Sequence, residues 1–111
     1  MIDLAQNSAS LKISPQIYLR ILGKALEQTE KDLLDIEKAL AVPDFTTVQS
    51  IAHRLKGDYA NMRVTELSQA AKQMNDVAKT TQDKQQISSA LQQFKSYFAG
   101  LQNYLKKVSV P

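Results

Sequence analysis

Apolar residues recur every three or four positions along most of the chain, which is the period of an amphipathic α-helix. The clearest stripe lies in the last third of the chain and steps by four, three, four, three and four residues: Ile87, Leu91, Phe94, Phe98, Leu101 and Leu105. A second stripe lies in the first half: Ile17, Leu22, Leu26, Leu33, Ile36 and Leu40. No alternating run of β-branched residues indicates a strand. The pattern therefore predicts an all-α fold.

Proline and serine mark the bounds of the first long helix. Ser14 is a good N-cap, and Pro15 stands where a first helical residue tolerates the missing N–H. The helix should end at Val42-Pro43-Asp44, because a residue before proline disfavours the helical region, and Asp44 can cap the next helix. Gly23 lies inside this helix and is expected to mark a kink, or a break into a short and a long helix.

Three more helices are predicted downstream of the first. The second runs from about Phe45 to Asn61 and the third from about Val64 to Lys79, and the polar break at residues 80–83 precedes the fourth. Short links between long helices imply antiparallel neighbours, so we expect an antiparallel up-and-down four-helix bundle over residues 14–108. Residues 1–13 are expected to form an N-terminal arm, either loose or with a short additional helix.

Composition narrows the class of protein without naming one. The chain has 111 residues, which is the size of one domain, and 43% of them are hydrophobic, enough for a packed core. It has no cysteine and one histidine, so we expect no disulfide and no metal site. The net charge of +3 is small and no basic cluster holds interleaved aromatics, so we expect no nucleic-acid binding. No apolar run is long enough for a membrane span and no targeting signal is recognisable, so we expect a cytoplasmic protein.

The single histidine, His53, lies on the second predicted helix, where a rotation of about 100° per residue gives its direction. If Val48 defines zero, the apolar residues of this helix all fall within about 60° of it: Ile51, Ala52, Leu55, Tyr59 and Met62. His53 falls at about 140° and therefore points away from the core. The residues on its side of the helix are Gln49, Lys56, Gly57 and Ala60.

Gly57 is the unusual neighbour of this histidine, because glycine inside a helix costs about 1 kcal/mol relative to alanine. One explanation is that a partner backbone or a phosphoryl group approaches the imidazole closely, so that a Cβ at position 57 would obstruct it. An exposed imidazole has a nitrogen available as a nucleophile near neutral pH. Lys56 could then place its ammonium against the oxygens of a transferring phosphoryl group.

A partner surface around the histidine is a second expectation. Ala60 and neighbouring apolar atoms could form a small patch, rimmed by Gln49, Arg54 and Lys56, of the size used in transient interfaces. The alternative is that His53 is an ordinary surface histidine and the chain is a non-catalytic helical adaptor that binds protein partners. The residues alone leave both open.

The run Ile51-Ala52-His53-Arg54-Leu55-Lys56-Gly57, with Leu67 and Met74-Asn75 after it, resembles the signature of histidine-containing phosphotransfer (HPt) domains. The resemblance spans roughly residues 15–107. Members of this family are four-helix bundles. They accept a phosphoryl group on a histidine from an aspartyl phosphate in one receiver domain and pass it to another receiver domain. The resemblance implies that His53 is phosphorylated, that Lys56 stabilises the charge, that Gly57 gives clearance, and that Asn75 hydrogen-bonds near the imidazole.

The resemblance also implies the partners. They would be receiver domains of response regulators or of a hybrid sensor kinase, and this domain could itself be free-standing or cut from such a kinase. No cofactor is expected in this domain, because Mg²⁺ belongs to the acidic pocket of the receiver. The protein is thus expected to be a monomeric phosphoryl carrier rather than an autonomous kinase.

Arg63 departs from the family pattern, and a third class of protein with a helical histidine needs to be considered. Arg63 stands where relatives commonly have glycine, and an arginine with positive φ would be strained, so either the turn has shifted to use Asn61 or Arg63 docks an acidic receiver surface. A helical histidine also occurs in the dimerisation part of sensor kinases, but the acidic residue and the nearby proline usual after that histidine are missing here.

Overall fold

Helices and short turns make up the described part of the chain, which is residues 2–81 and 83–109 of the computed structural model. The helices of this part are α1 (Leu4–Ser10), α2 (Pro15–Ala41), α3 (Phe45–Asn61), α4 (Thr65–Thr80) and α5 (Lys84–Ser109). Helices α2 to α5 pack as a ring in which each contacts the two next to it. The predicted all-α four-helix bundle with an additional N-terminal helix is confirmed.

The predicted start and end signals of α2 and α3 are in place. The Ser14 hydroxyl accepts the Ile17 N–H at 3.1 Å, and the Asp44 carboxylate accepts the Thr47 N–H at 3.1 Å. These bonds satisfy amide groups that the first turn of a helix leaves without a partner. Of the predicted polar break at residues 80–83, Gln82 lies outside the described residues.

Gly23 does not divide the first long helix. Helix α2 is continuous from Pro15 to Ala41, so the expected break into a short and a long helix is wrong. A Cβ built on Gly23 would lie 3.7 Å from the Leu105 side chain of α5, an ordinary contact. The packing of α2 along α5 and α3 therefore outweighs the weak helix preference of one glycine.

The core lies between the four long helices and holds most of both apolar stripes predicted from the sequence. The prediction is wrong for Ile17, which is 44% exposed, and Leu105 is only partly buried. The largest fully buried side chains of the core come from every long helix: Tyr18, Leu22, Ile36, Val48, Leu55, Tyr59, Leu67, Met74, Ile87, Phe94 and Leu101. Tyr59 meets Phe94 edge to face across the core, with ring centroids 6.3 Å apart. Burial of this apolar surface is the main force that holds the helices together.

The N-terminal arm forms a helix, α1, that packs on α2 near one end of the bundle. The Asn7 amide donates to the Tyr18 hydroxyl at 3.2 Å, and that hydroxyl donates to the Met62 carbonyl at 2.6 Å. One buried chain of hydrogen bonds thus joins α1, α2 and the end of α3. The division of the chain into an arm over residues 1–13 and a domain over 14–108 stays a prediction.

The turn after α3 uses Arg63, so the expectation that it shifts to Asn61 is wrong. Arg63 has φ 64°, and Asn61 is the last residue of α3. The Arg63 N–H bonds the Ala60 carbonyl at 3.1 Å and the Val64 N–H bonds the Tyr59 carbonyl at 2.8 Å. This is the Schellman pattern, which needs a left-handed residue at this position whether or not it is glycine.

Candidate functional site

His53 lies midway along α3 with its side chain exposed, as predicted. Its neighbours Ala52 and Leu55 are fully buried, so their side of α3 faces the core and His53 faces outward. The imidazole is therefore on the outer face of the bundle, where a second protein could reach it.

On one side of His53, helix α4 is tied to α3 by two hydrogen bonds. The Gln49 amide donates to the Ala78 carbonyl at 3.3 Å, and the Ser68 hydroxyl donates to the Lys56 carbonyl at 2.9 Å. The second bond uses the backbone of Lys56, and its ammonium makes no ion pair within residues 2–81 and 83–109. Lys56 thus has an anchored backbone and a cationic end available to a ligand.

The same two bonds give the register of the antiparallel pair α3 and α4. Residues 49–56 lie alongside residues 68–78, and Asn75, half-buried, falls inside that stretch. Asn75 therefore lies at about the level of His53, although no hydrogen bond joins the two in the described residues.

On the other side of His53, Arg54 turns toward α2. Its guanidinium pairs with Asp32 of α2 at 2.5 Å and with Asp58, one turn along α3, at 3.2 Å. Burial lowers the pKa of Arg54, but the hydrogen bond and charge of Asp32, with the charge of Asp58, raise it by more. The sequence placed Arg54 on the rim of a docking patch, and the structure places its charged end against two acids of its own chain.

Gly57 and Ala60 complete the outer face around His53. Apart from the adjacent residues and the backbone of α3 itself, a Cβ built on Gly57 would meet no heavy atom within 4 Å, and Ala60 is exposed. Packing inside the bundle therefore does not require glycine at position 57. The open space is on the outer face of α3, one helical turn after His53.

Arg63 lies away from this group. It is ten residues after His53, or about 15 Å along the helix axis. Its side chain bonds the Ser10 hydroxyl of α1 at 3.1 Å and the Ala60 carbonyl at 3.3 Å. The structure therefore brings together His53, Gln49, Lys56, Gly57, Ala60 and Asn75, and it places Arg63 beyond the end of α3, against α1.

Asp32 lies near the site, and the sequence pattern did not predict its contact with Arg54. It is 2% exposed, and its Oδ1 also accepts the Gln28 amide at 3.2 Å. Next to it, Thr29 and Tyr59 share a buried hydrogen bond of 2.6 Å. The only signal in the sequence was a carboxylate directly before Leu33 of the core stripe, on the edge of the apolar face of α2.

A model of the Hpt domain family matches residues 20–108 of this chain. The match covers most of α2 and all of α3 and α4, together with nearly the whole of α5. The chain therefore belongs to the HPt domain family. Searches among curated proteins and solved structures gave no significant match.

Membership in this family gives the class of function. HPt domains carry out histidine phosphotransfer in two-component phosphorelays and interact with receiver domains, so this chain is a phosphotransfer module of such a relay. Among the described residues, no helix is long and apolar enough to cross a membrane. Residues 2–81 and 83–109 also contain no group of three or more histidine or acidic residues that could hold a metal ion.

Proposed function

We propose that His53 is the phosphoacceptor, and that this protein takes a phosphoryl group from the aspartyl phosphate of one receiver domain and passes it to the aspartate of another. The observation that carries the proposal is that the single histidine of an HPt-family chain lies exposed on the outer face of α3. A carrier of this kind must present one nucleophile to two partners in turn, which an outer helix face allows.

The transfer needs little chemistry from this chain beyond the nucleophile. An imidazole nitrogen with a free lone pair attacks the phosphorus, a P–N bond forms, and the P–O bond to the receiver aspartate breaks. The aspartate leaves as a carboxylate, and the other imidazole nitrogen keeps its proton. Transfer to the second receiver is the reverse reaction. The Mg²⁺ that neutralises charge in such transfers would be held by the receiver rather than by this chain.

Lys56 is proposed to stabilise the phosphoryl group. It follows His53 by three residues, so both side chains lie on one side of α3 one turn apart. Its ammonium is free of ion pairs in the described residues and its backbone is anchored to Ser68. Positioning of the reactants and stabilisation of charge are the main contributions a protein makes to phosphoryl transfer, and an ammonium beside the transferred group supplies the second.

The neighbouring residues are proposed to shape the approach. Gly57 and Ala60 leave the receiver room to bring its aspartyl phosphate to the imidazole, while Gln49 and Asn75 supply amide groups on the α4 side. Arg63 could meet an acidic receiver beyond the end of α3. The proposed carrier acts as a monomer.

The test is phosphotransfer from a phosphorylated receiver to the wild-type protein and to His53→Gln. The wild type should gain an acid-labile, base-stable phosphate, and His53→Gln should gain none while keeping the same helical circular dichroism spectrum. Labelling that persists in His53→Gln would refute the assignment. A partner that binds equally well to His53→Ala, with no response to phosphate donors, would favour the helical adaptor. A stable dimer in sedimentation equilibrium would favour the sensor-kinase dimerisation domain.

A further inference from the structure

The most unusual polar group outside the proposed phosphoacceptor site is the carboxylate of Asp32. Its side chain is 3% exposed, and one oxygen accepts from Arg54 and Gln28. The other oxygen, Oδ2, is buried and has no hydrogen-bond partner among the described residues. Asp32 therefore carries a buried charge that is only partly satisfied.

Stability alone is a poor explanation for this arrangement. Taking a carboxylate out of water is costly, and a buried ion pair recovers that cost only when its remaining oxygens are hydrogen-bonded. Here the cation partner is itself 44% exposed and one oxygen of the acid is unpaired. An apolar side chain at position 32 would fit the core stripe with less cost, so the acid points to a role other than folding.

The position of Arg54 suggests that role. Arg54 directly follows His53, and Gly57 is three residues after Arg54 and four after His53. Because positions three and four apart are neighbours on a helix, the open space over Gly57 is within reach of both side chains. A long guanidinium side chain without a tether could fill the space that the receiver needs.

The observed tether prevents this. Asp32 draws one end of the guanidinium toward α2, and Asp58 holds the other end along α3. Two acids on two helices fix a planar guanidinium in direction as well as in position, which a single exposed partner would not do.

We propose that Asp32 is a positioning residue for phosphotransfer: by holding Arg54 against α2, it keeps the face over Gly57 clear for the receiver and leaves Lys56 as the cation beside His53. This inference rests on the proposed function of His53. Asp32 itself touches neither the imidazole nor the phosphoryl group.

The experiment compares two phosphate donors. A phosphorylated receiver must dock on α3, whereas phosphoramidate is a small donor that needs no docking. The variants are Asp32→Asn, which removes the negative charge that draws Arg54 toward α2, and Asp32→Asn/Arg54→Ala, which also removes the Arg54 side chain. The matched control is Glu37→Gln, which breaks a different ion pair of α2, the one between Glu37 and Lys95 of α5. Thermal unfolding of each variant is followed by circular dichroism.

Asp32→Asn should slow transfer from the receiver by about tenfold, less than the roughly hundredfold cost of a misplacement of about 1 Å, because Asp58 still holds one end of Arg54. Phosphorylation by phosphoramidate should stay at the wild-type rate. The double variant should recover transfer from the receiver, and Glu37→Gln should match the wild type throughout. If Asp32→Asn does not fold, Arg54→Lys serves in its place, because one ammonium cannot bridge both acids and should slow transfer from the receiver alone.

Three results would overturn the inference while leaving the phosphoacceptor intact. They are wild-type transfer by Asp32→Asn, an equal loss with both donors, and a double variant as slow as the single one. The second would show that Asp32 acts through stability alone, and the third that the Arg54 side chain does not obstruct the receiver. By contrast, a wild-type protein that neither donor phosphorylates on His53 would refute the proposed function itself.

Discussion

Replacing Gly57 with alanine should make the protein more stable and a poorer phosphotransfer partner. Alanine is preferred over glycine inside a helix by about 0.5–1 kcal/mol, mainly because glycine loses more backbone entropy on folding. A Cβ at position 57 meets no heavy atom within 4 Å beyond the adjacent residues and the backbone of α3, so no clash subtracts from this gain and no new burial adds to it. The free energy of unfolding should therefore rise by about 1 kcal/mol, and the Tm by about 4 °C.

The matched control is Gly23→Ala. Its Cβ would make an ordinary contact of 3.7 Å with Leu105, and it lies on α2, at the interface with α5 and away from His53. It should gain about the same stability as Gly57→Ala, because the same backbone entropy is removed from the unfolded chain. Its transfer rate should be that of the wild type.

The assay pairs urea unfolding, followed by circular dichroism, with the rate of transfer from a phosphorylated receiver. The rate of transfer should be highest with glycine at position 57, lower with alanine and lowest with leucine, while the helical content stays the same. A Gly57→Ala protein less stable than the wild type would show that the space beside α3 is not open. Transfer at the wild-type rate by Gly57→Leu would show that the receiver does not need this clearance.

Two further predictions concern the turn after α3 and the buried Tyr59. Arg63→Gly should stabilise the fold by about 0.5–1 kcal/mol in urea unfolding, because relief of a left-handed non-glycine residue outweighs the lost side-chain bond to Ser10. Arg63→Ala loses the same bond and keeps the Cβ, so it should destabilise the fold, and the opposite order would contradict this reasoning. Burial raises the pKa of Tyr59 to about 12, although its bond to Thr29 opposes this. The stability that this group contributes is present below the unfolded pKa of about 10 and is lost as the pH rises toward 12, by up to about 2–3 kcal/mol. Tyr59→Phe should make the free energy of unfolding fall less steeply over this pH range, and an unchanged fall would contradict the raised pKa.

Local signals account for most of what the sequence predicts correctly. Ser14 with Pro15 starts α2, and Asp44 starts α3, because caps depend on neighbours within three residues. The exposure of His53 follows from a helical period of 3.6 residues and is equally local. The motif around it then identifies the family, which the match over residues 20–108 confirms.

The features that the sequence could not predict depend on contacts between distant residues. The pairing of Asp32 with Arg54 joins positions 22 residues apart and depends on how α2 and α3 are aligned. The continuity of α2 through Gly23 depends on the packing of α2 along its neighbours rather than on glycine itself. Arg63 takes a positive φ because Tyr59 and Val64 are both buried on either side of the turn, which leaves that residue to close the helix.

Hydrogen bonds on both sides of α3 explain why its outer face can lack large side chains that hold the helix in place. Apolar packing sets the depth of a helix in a bundle but tolerates small rotations, whereas hydrogen bonds to two neighbouring helices fix its direction. Gln49 supplies such a bond to α4, and Arg54 and Tyr59 supply them to α2. With its rotation set from the sides, α3 needs no large side chain on the outside to hold it. A carrier that meets two receivers in turn gains from this, because a face that is ordered before docking loses little entropy when either partner binds.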